Sequence, residues 1–98
     1  MAFLNQEEIN KLGFKKVGQN VLISDKASFY GNSRIEIGDN TRIDDFSVIS
    51  AGQGGIRIGR NVHISCHAAI VGAGEINICD FSAISLRCVI LSSSDDFS

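Results

Sequence analysis

Apolar residues recur every sixth position through most of this chain. "IGRNVHISCHAAIVGAGEINICDF" places Ile58, Ile64 and Ile70 six apart, and the pattern restarts at Ile78. The same triplets appear as Val17/Ile23/Phe29, Ile37/Ile43/Ile49 and Ile78/Ile84/Ile90. Their first members stand 20, 21 and 20 residues apart. A fixed period of this length marks a solenoid, in which each repeat buries its apolar face by stacking on its neighbours. Small or β-branched residues sit two positions before the later anchors: Val21, Thr41, Val62 and Ser82 on one side, Ala27, Ser47, Ala68 and Cys88 on the next. Residues two apart on a strand share a face, so anchor and small residue both point inward. Six residues then make a short strand and a turn, three such sides make a triangular coil, and coils stack about 4.8 Å apart.

The corners carry turn chemistry. Gly18-Gln19-Asn20, Gly38-Asp39-Asn40 and Gly59-Arg60-Asn61 follow the first anchors. Glycine and asparagine tolerate the left-handed backbone that a sharp corner needs. Cys79-Asp80-Phe81 departs from this motif, which predicts a looser or differently shaped fourth corner. The third side is longer, and "YGNSRIE", "SAGQGGIR" and "VGAGEIN" are expected to turn wider corners there. Their glycines recur in register with the coil, without the lysine of a phosphate loop, and so turn the chain rather than cradle a nucleotide.

"LNQEEINKLGF" reads differently. Asn5 followed by Glu8 forms a capping-box signature, and Gly13 is a stop, so a helix is predicted from Gln6 to Leu12. It would cover the open end of the first coil, whose strand edges and apolar interior need a lid. The expected organisation is a helical cap over residues 1–14 and a repeat region over 15–98.

Composition narrows the chemistry. The 9 basic and 11 acidic residues form no block of one sign, so neither a nucleic-acid nor a membrane partner is indicated. The apolar runs are too short to span a bilayer, and "MAFLNQEE" lacks the pattern of a signal peptide. Cys66, Cys79 and Cys88 show no paired or zinc-type spacing, so they read as free thiols in a reducing compartment, the cytoplasm, with no metal.

Tandem "[IV]-G-x-N-x-x-I" hexapeptides in coils of this length resemble the hexapeptide-repeat acyltransferases. "GFKKVGQNVLIS", "IDDFSVIS", "VHIS", "DFSAIS" and "SSSDDFS" are similar to the branch that O-acetylates sugars and polysaccharides. The resemblance implies an all-β fold, a left-handed parallel β-helix of about four triangular coils with a short N-terminal capping helix. It implies acetyl-CoA as co-substrate, a sugar or polysaccharide hydroxyl as acceptor, and a trimer with its sites between subunits. Many family members carry a histidine base in the stretch corresponding to "ILSSSDDFS"; this chain has Asp95 and Asp96 there, the branch it resembles also tends to carry acidic residues at this point, and the resemblance makes both aspartates catalytic candidates beside His63.

Acyl transfer needs a general base and donors for the developing oxyanion. His63 follows inward-facing Val62 and should project outward, as a base or as a surface residue. His67 should also face out, in one column with Lys26, Phe46 and Arg87. Asp44 and Asp45 form either a solvated corner or a sugar contact. The repeats stop within a loop at Ser98, whereas family enzymes continue through further coils that build the CoA channel. The chain therefore looks like an N-terminal or truncated portion of such an enzyme, and acetyl-CoA is expected to bind it weakly or not at all. The competing reading is a non-catalytic β-helix scaffold or oligomerisation module without a complete CoA site. Either way a homo-oligomer is expected, as a trimer packed through outward columns or a dimer joined through the open fourth coil.

Overall fold

The computed structural model of the chain describes residues 2–92. Three parallel sheets run along a solenoid of about four turns. The first joins β1 (Lys16–Val17), β4 (Ile35–Ile37), β7 (Ile56–Ile58) and β10 (Ile76–Ile78). The second joins β2 (Leu22–Ile23), β5 (Arg42–Ile43), β8 (His63–Ile64) and β11 (Ala83–Ile84). The third joins β3 (Ser28–Tyr30), β6 (Val48–Ala51), β9 (Ala69–Gly72) and β12 (Val89–Ser92). Each strand pairs with the strand one coil away, so the sequence period becomes the sheet register: Ile23 lies beside Ile43, Ile43 beside Ile64, and Ile64 beside Ile84.

The interior is a set of isoleucine columns. Ile37, Ile43, Ile49, Ile58, Ile64, Ile70 and Ile78 are buried, as the six-residue pattern requires. Ile84, expected among them, is only partly buried; it sits in the last described coil, where Ile64 is its one stacking neighbour among the described residues. Ile35, Ile56 and Ile76 add a column that the six-residue spacing does not reveal. They stand two residues before Ile37, Ile58 and Ile78 and share their face. Each fully buried isoleucine contributes roughly 1.5–3 kcal/mol over an exposed one. The inward polar residues bond to the next coil: Thr41 Oγ1 donates to the Gly59 carbonyl at 2.8 Å and Ser47 Oγ to the Ser65 carbonyl at 3.0 Å.

The corners differ from expectation in mechanism. Asn20, Asn40 and Asn61 adopt positive φ of 58°, 59° and 54°, whereas the glycines before them do not. Those glycines provide space instead. A Cβ on Gly38 would lie 2.6 Å from the Gly59 carbonyl, and one on Gly18 or Gly59 would lie 2.1 or 2.3 Å from the carboxylate of Asp39 or Asp80. Asp39 and Asp80 fill that space and accept the backbone N–H of Gln19 and Arg60, each at 2.8 Å. The fourth corner is not looser: Phe81 takes φ 63°, the conformation of the asparagines. The wide third-side corners turn through a 3-10 segment at Asn32–Arg34 and through Gly31 and Gly55, with φ of 70° and 78°.

Helix α1 spans Gln6–Lys11, and Leu12 is its C-cap rather than its last turn. The capping box forms in both directions, with Glu8 N–H donating to Asn5 Oδ1 at 2.8 Å and Asn5 N–H to Glu8 Oε1 at 2.9 Å. Ile9 is 2% exposed and joins the core. Ahead of the helix, residues 2–4 lie antiparallel beside the first coil. Leu4 N–H donates to the Ile23 carbonyl at 2.8 Å and Asp25 N–H to the Ala2 carbonyl at 2.9 Å. Among the described residues no helix is long and apolar enough to cross a membrane.

Candidate active site at one corner of the solenoid

The residues with acid–base chemistry gather where the second sheet turns into the third. In register, Leu22, Arg42, His63 and Ala83 form one outward column. The residues following each inner isoleucine form the next: Ser24, Asp44, Ser65 and Ser85. Backbone bonds hold this second column, from Ser24 N–H to the Ile43 carbonyl, Asp44 N–H to the Ile64 carbonyl and Ser65 N–H to the Ile84 carbonyl.

Asp44 is the centre. It is 6% exposed, and both carboxylate oxygens are engaged. Arg42 Nε donates to Oδ1 at 2.7 Å, and His63 Nε2 donates to Oδ2 at 2.8 Å. Burial alone would raise the pKa of this carboxyl. The hydrogen bonds and positive charges of Arg42 and His63 outweigh it and hold the group below the ordinary carboxylate range. The arrangement fixes the imidazole. With Nε2–H committed to a carboxylate, Nδ1 is the nitrogen that can accept a proton, which is the logic of an oriented histidine base. The His63 side chain is 48% exposed, so it can reach a reactant.

The sequence candidates therefore separate. Asp44 and His63, 19 residues apart in the chain, meet. Asp45 is tied inward, accepting a hydrogen bond from the buried Ser24 hydroxyl, which itself accepts Lys26 N–H at 3.0 Å. His67 faces outward and stacks on Phe46 with ring centroids 5.2 Å apart, and Lys26 Nζ lies 5.7 Å from the Phe46 ring centroid. Asp95 and Asp96 lie outside the described residues. Sequence reasoning missed Arg42, Phe3 and Ser85. The coil period could have found Arg42 and Ser85, since adding one period to Arg42 gives His63 and two to Asp44 gives Ser85. Among the described residues, no group of three or more His, Cys, Asp and Glu side chains is placed to hold a metal ion.

The other two faces differ in character. The β1–β4–β7–β10 face presents Lys16, Glu36, Arg57 and Asn77 around a shallow cleft of about 230 Å³. The β3–β6–β9–β12 face is largely apolar, with Tyr30, Val71, Val89 and Leu91 exposed and Ser50 in register between Tyr30 and Val71. Neither cleft nor apolar face contains the Asp44–His63 pair.

No protein-family model matches the chain. A curated relative, the dTDP-4-amino-4,6-dideoxy-D-glucose acyltransferase of Escherichia coli, is 51% identical over all 98 residues. The chain is homologous to a dTDP-sugar acyltransferase. It spans about half of that relative, 51% of its length. Among solved structures it is similar to AntD, an N-acyltransferase from Bacillus cereus. The AntD complex with dTDP and 3-hydroxybutyryl-CoA matches with a TM-score of 0.88 at 45% identity, covering 98% of this chain and 50% of that one. A serine variant of AntD with dTDP and coenzyme A matches at 0.87 and 44% identity, over 98% and 50% of the two chains. An aspartate variant matches at 0.81 and 47% identity, over 89% and 46%. The β-solenoid expected from the repeats and the acyltransferase relationship implied by the family resemblance are both present, and the neighbouring structures hold CoA or acyl-CoA.

Proposed function

We propose that this chain belongs to a CoA-dependent N-acyltransferase that acylates the amino group of a dTDP-linked 4-amino-4,6-dideoxy sugar. The observation that carries this reading is the 51% identity to the Escherichia coli enzyme across the entire chain. It moves the acceptor atom from the hydroxyl oxygen implied by the sequence resemblance to nitrogen, and the acceptor from a polysaccharide to a sugar nucleotide. The names of both relatives specify an amino sugar or N-acylation.

The reaction sets clear demands. The sugar amine attacks the thioester carbonyl carbon, forming a C–N bond and a tetrahedral oxyanion. Collapse breaks the C–S bond and releases CoA thiolate, while the nitrogen sheds a proton. His63, oriented by Asp44 through Nε2, would take that proton at Nδ1 and return it to the leaving thiolate. The AntD variants alter a serine and, ten positions later, an aspartate. Ser85 and Asp95 have the same spacing here. On that basis Ser85 would donate to the oxyanion and Asp95, beside Asp96, would accept a hydrogen bond from the neutral sugar amine and steady the positive charge that develops on its nitrogen during attack.

The largely apolar outer face of the third sheet supports a homo-oligomer, since a cluster of exposed apolar side chains marks an interaction surface. Phe46 and Leu86, both exposed at the adjoining corner, extend it towards the Lys26/Phe46/His67/Arg87 column.

The test supplies dTDP-4-amino-4,6-dideoxyglucose with acetyl-CoA or 3-hydroxybutyryl-CoA and follows thiol release together with product mass. The expected product is the N-acylated sugar nucleotide. Transfer to the 4-hydroxy analogue but not to the amine, or binding of neither substrate, would overturn the reading.

A further inference from the structure

The segment ahead of α1 does more than close the solenoid. The covering role belongs to Ile9, which is buried, and to Leu4, which packs on the core. Phe3, just before Leu4, takes neither role: it is 37% exposed and forms the antiparallel bridge with Ser24. The guanidinium carbon of Arg42 lies 5.4 Å from the centroid of that ring, within the range of a cation–π contact. Arg42 in turn occupies Asp44 Oδ1, which leaves Oδ2 for His63. Four residues from three parts of the chain thus form one continuous series of contacts, Phe3 to Arg42 to Asp44 to His63.

We propose that Phe3 and Arg42 are positioning residues of the His63 centre, with the N-terminal segment locking the Asp44 carboxylate so that His63 keeps Nε2 bound and Nδ1 presented. The proposal rests on His63 acting as the base in the acyl transfer above. Its physical logic is rotational. A carboxylate held at one oxygen can still turn about its terminal torsion, which is soft. Held at both, it has one orientation. Arg42 supplies the second hold from the same strand end, and its guanidinium plane is steadied by the Phe3 ring. Arg42 and His63 are direct register partners on β5 and β8, so without the carboxylate between them two cations would face each other whenever the imidazole is protonated.

The experiment reads the ring itself. Two-bond nitrogen–proton correlation spectra of the full 98-residue chain, with His63→Asn used to assign the signals, report which imidazole nitrogen carries hydrogen. In the parent protein His63 is expected as a single Nε2–H form. Arg42→Gln should give a tautomer mixture, and Phe3→Ala a smaller change in the same direction. Arg42→Lys, which keeps charge but lacks the planar donor, should restore only part of the parent signal. Where turnover is measured, Arg42→Gln should lower kcat about 10-fold, the low end of the loss that follows when outer partners of metal-bound histidines are removed, with KM for acyl-CoA unchanged. Unchanged His63 signals in both Arg42→Gln and Phe3→Ala would overturn the proposal, and Phe3→Ala alone decides it if Arg42→Gln does not fold. A tautomer change in protein that transfers no acyl group would leave the positioning intact and remove the proposed reaction instead.

Discussion

Gly38→Ala tests whether the corner glycines are there for space rather than for backbone freedom. Its φ is not positive, so alanine meets no conformational penalty of its own. The added Cβ would lie 2.6 Å from the Gly59 carbonyl carbon and oxygen and 2.7 Å from Arg60 N, where ordinary contact begins at 3.4 Å. These are backbone atoms and cannot swing aside, so the two coils must part locally by about 0.8 Å. Three bonds cross that step, each 2.8 Å long: Gly38 N–H to the Ile58 carbonyl, Asn61 N–H to the Asp39 carbonyl, and Thr41 Oγ1 to the Gly59 carbonyl. Opening them to about 3.6 Å takes them beyond hydrogen-bonding distance. At roughly 0.5–1.5 kcal/mol each, the loss is about 1.5–4.5 kcal/mol, a large share of the roughly 5–15 kcal/mol that holds a domain together. Urea unfolding followed by circular dichroism would show this as a midpoint lowered by more than about 1 M. Gly13→Ala is the control. Gly13 has φ 76° and nothing within 4 Å of its would-be Cβ, so it should lose only about 1–2 kcal/mol from the left-handed backbone. If Gly38→Ala is no more destabilising than Gly13→Ala, the spatial argument fails.

Two further outcomes are expected. The folded-state pKa of Asp44 lies below its unfolded value near 3.9, so its contribution is fully present above that pH and is lost as pH falls through the folded value; the stability advantage of the parent over Asp44→Asn should hold at pH 6 and vanish in acid unfolding below about pH 4. Light scattering should show an oligomer at micromolar concentration, and Val71→Lys with Leu91→Lys, which charge the apolar face without entering the core, should shift it to monomer; an unchanged mass would place the interface elsewhere.

The inner columns were legible because burial repeats with the coil, and any periodic property survives translation by 20 or 21 residues. Ile35, Ile56 and Ile76 escaped because the third side is eight or nine residues long, which breaks the six-residue count even though the two-residue alternation with Ile37, Ile58 and Ile78 persists. The corner glycines are visible in the sequence but their task is not, since a sequence shows that a Cβ is missing and not which neighbour occupies its place. Phe81 shows the converse: stacking imposed a left-handed conformation on a residue with no local preference for it. Within the site, His63 and Asp44 were each visible, but their meeting depends on an offset between coils. The contribution of Phe3 was hidden altogether, because its segment lies outside the repeat and only tertiary docking brings it to Arg42.

Seven non-glycine residues among those described hold positive φ, and four of them are Phe46, His67, Phe81 and Arg87. Such a backbone is disfavoured by roughly 1–2 kcal/mol per residue for side chains of this kind. No coil can therefore keep its own corners; each is shaped by the bonds it makes with the next. During synthesis this becomes a delay. A newly emerged turn has no stable shape until about 20 more residues have left the ribosome, roughly 1–4 s at ordinary elongation rates. The solenoid should then advance one coil behind the growing chain, with the newest turn always open to whatever strand reaches it first.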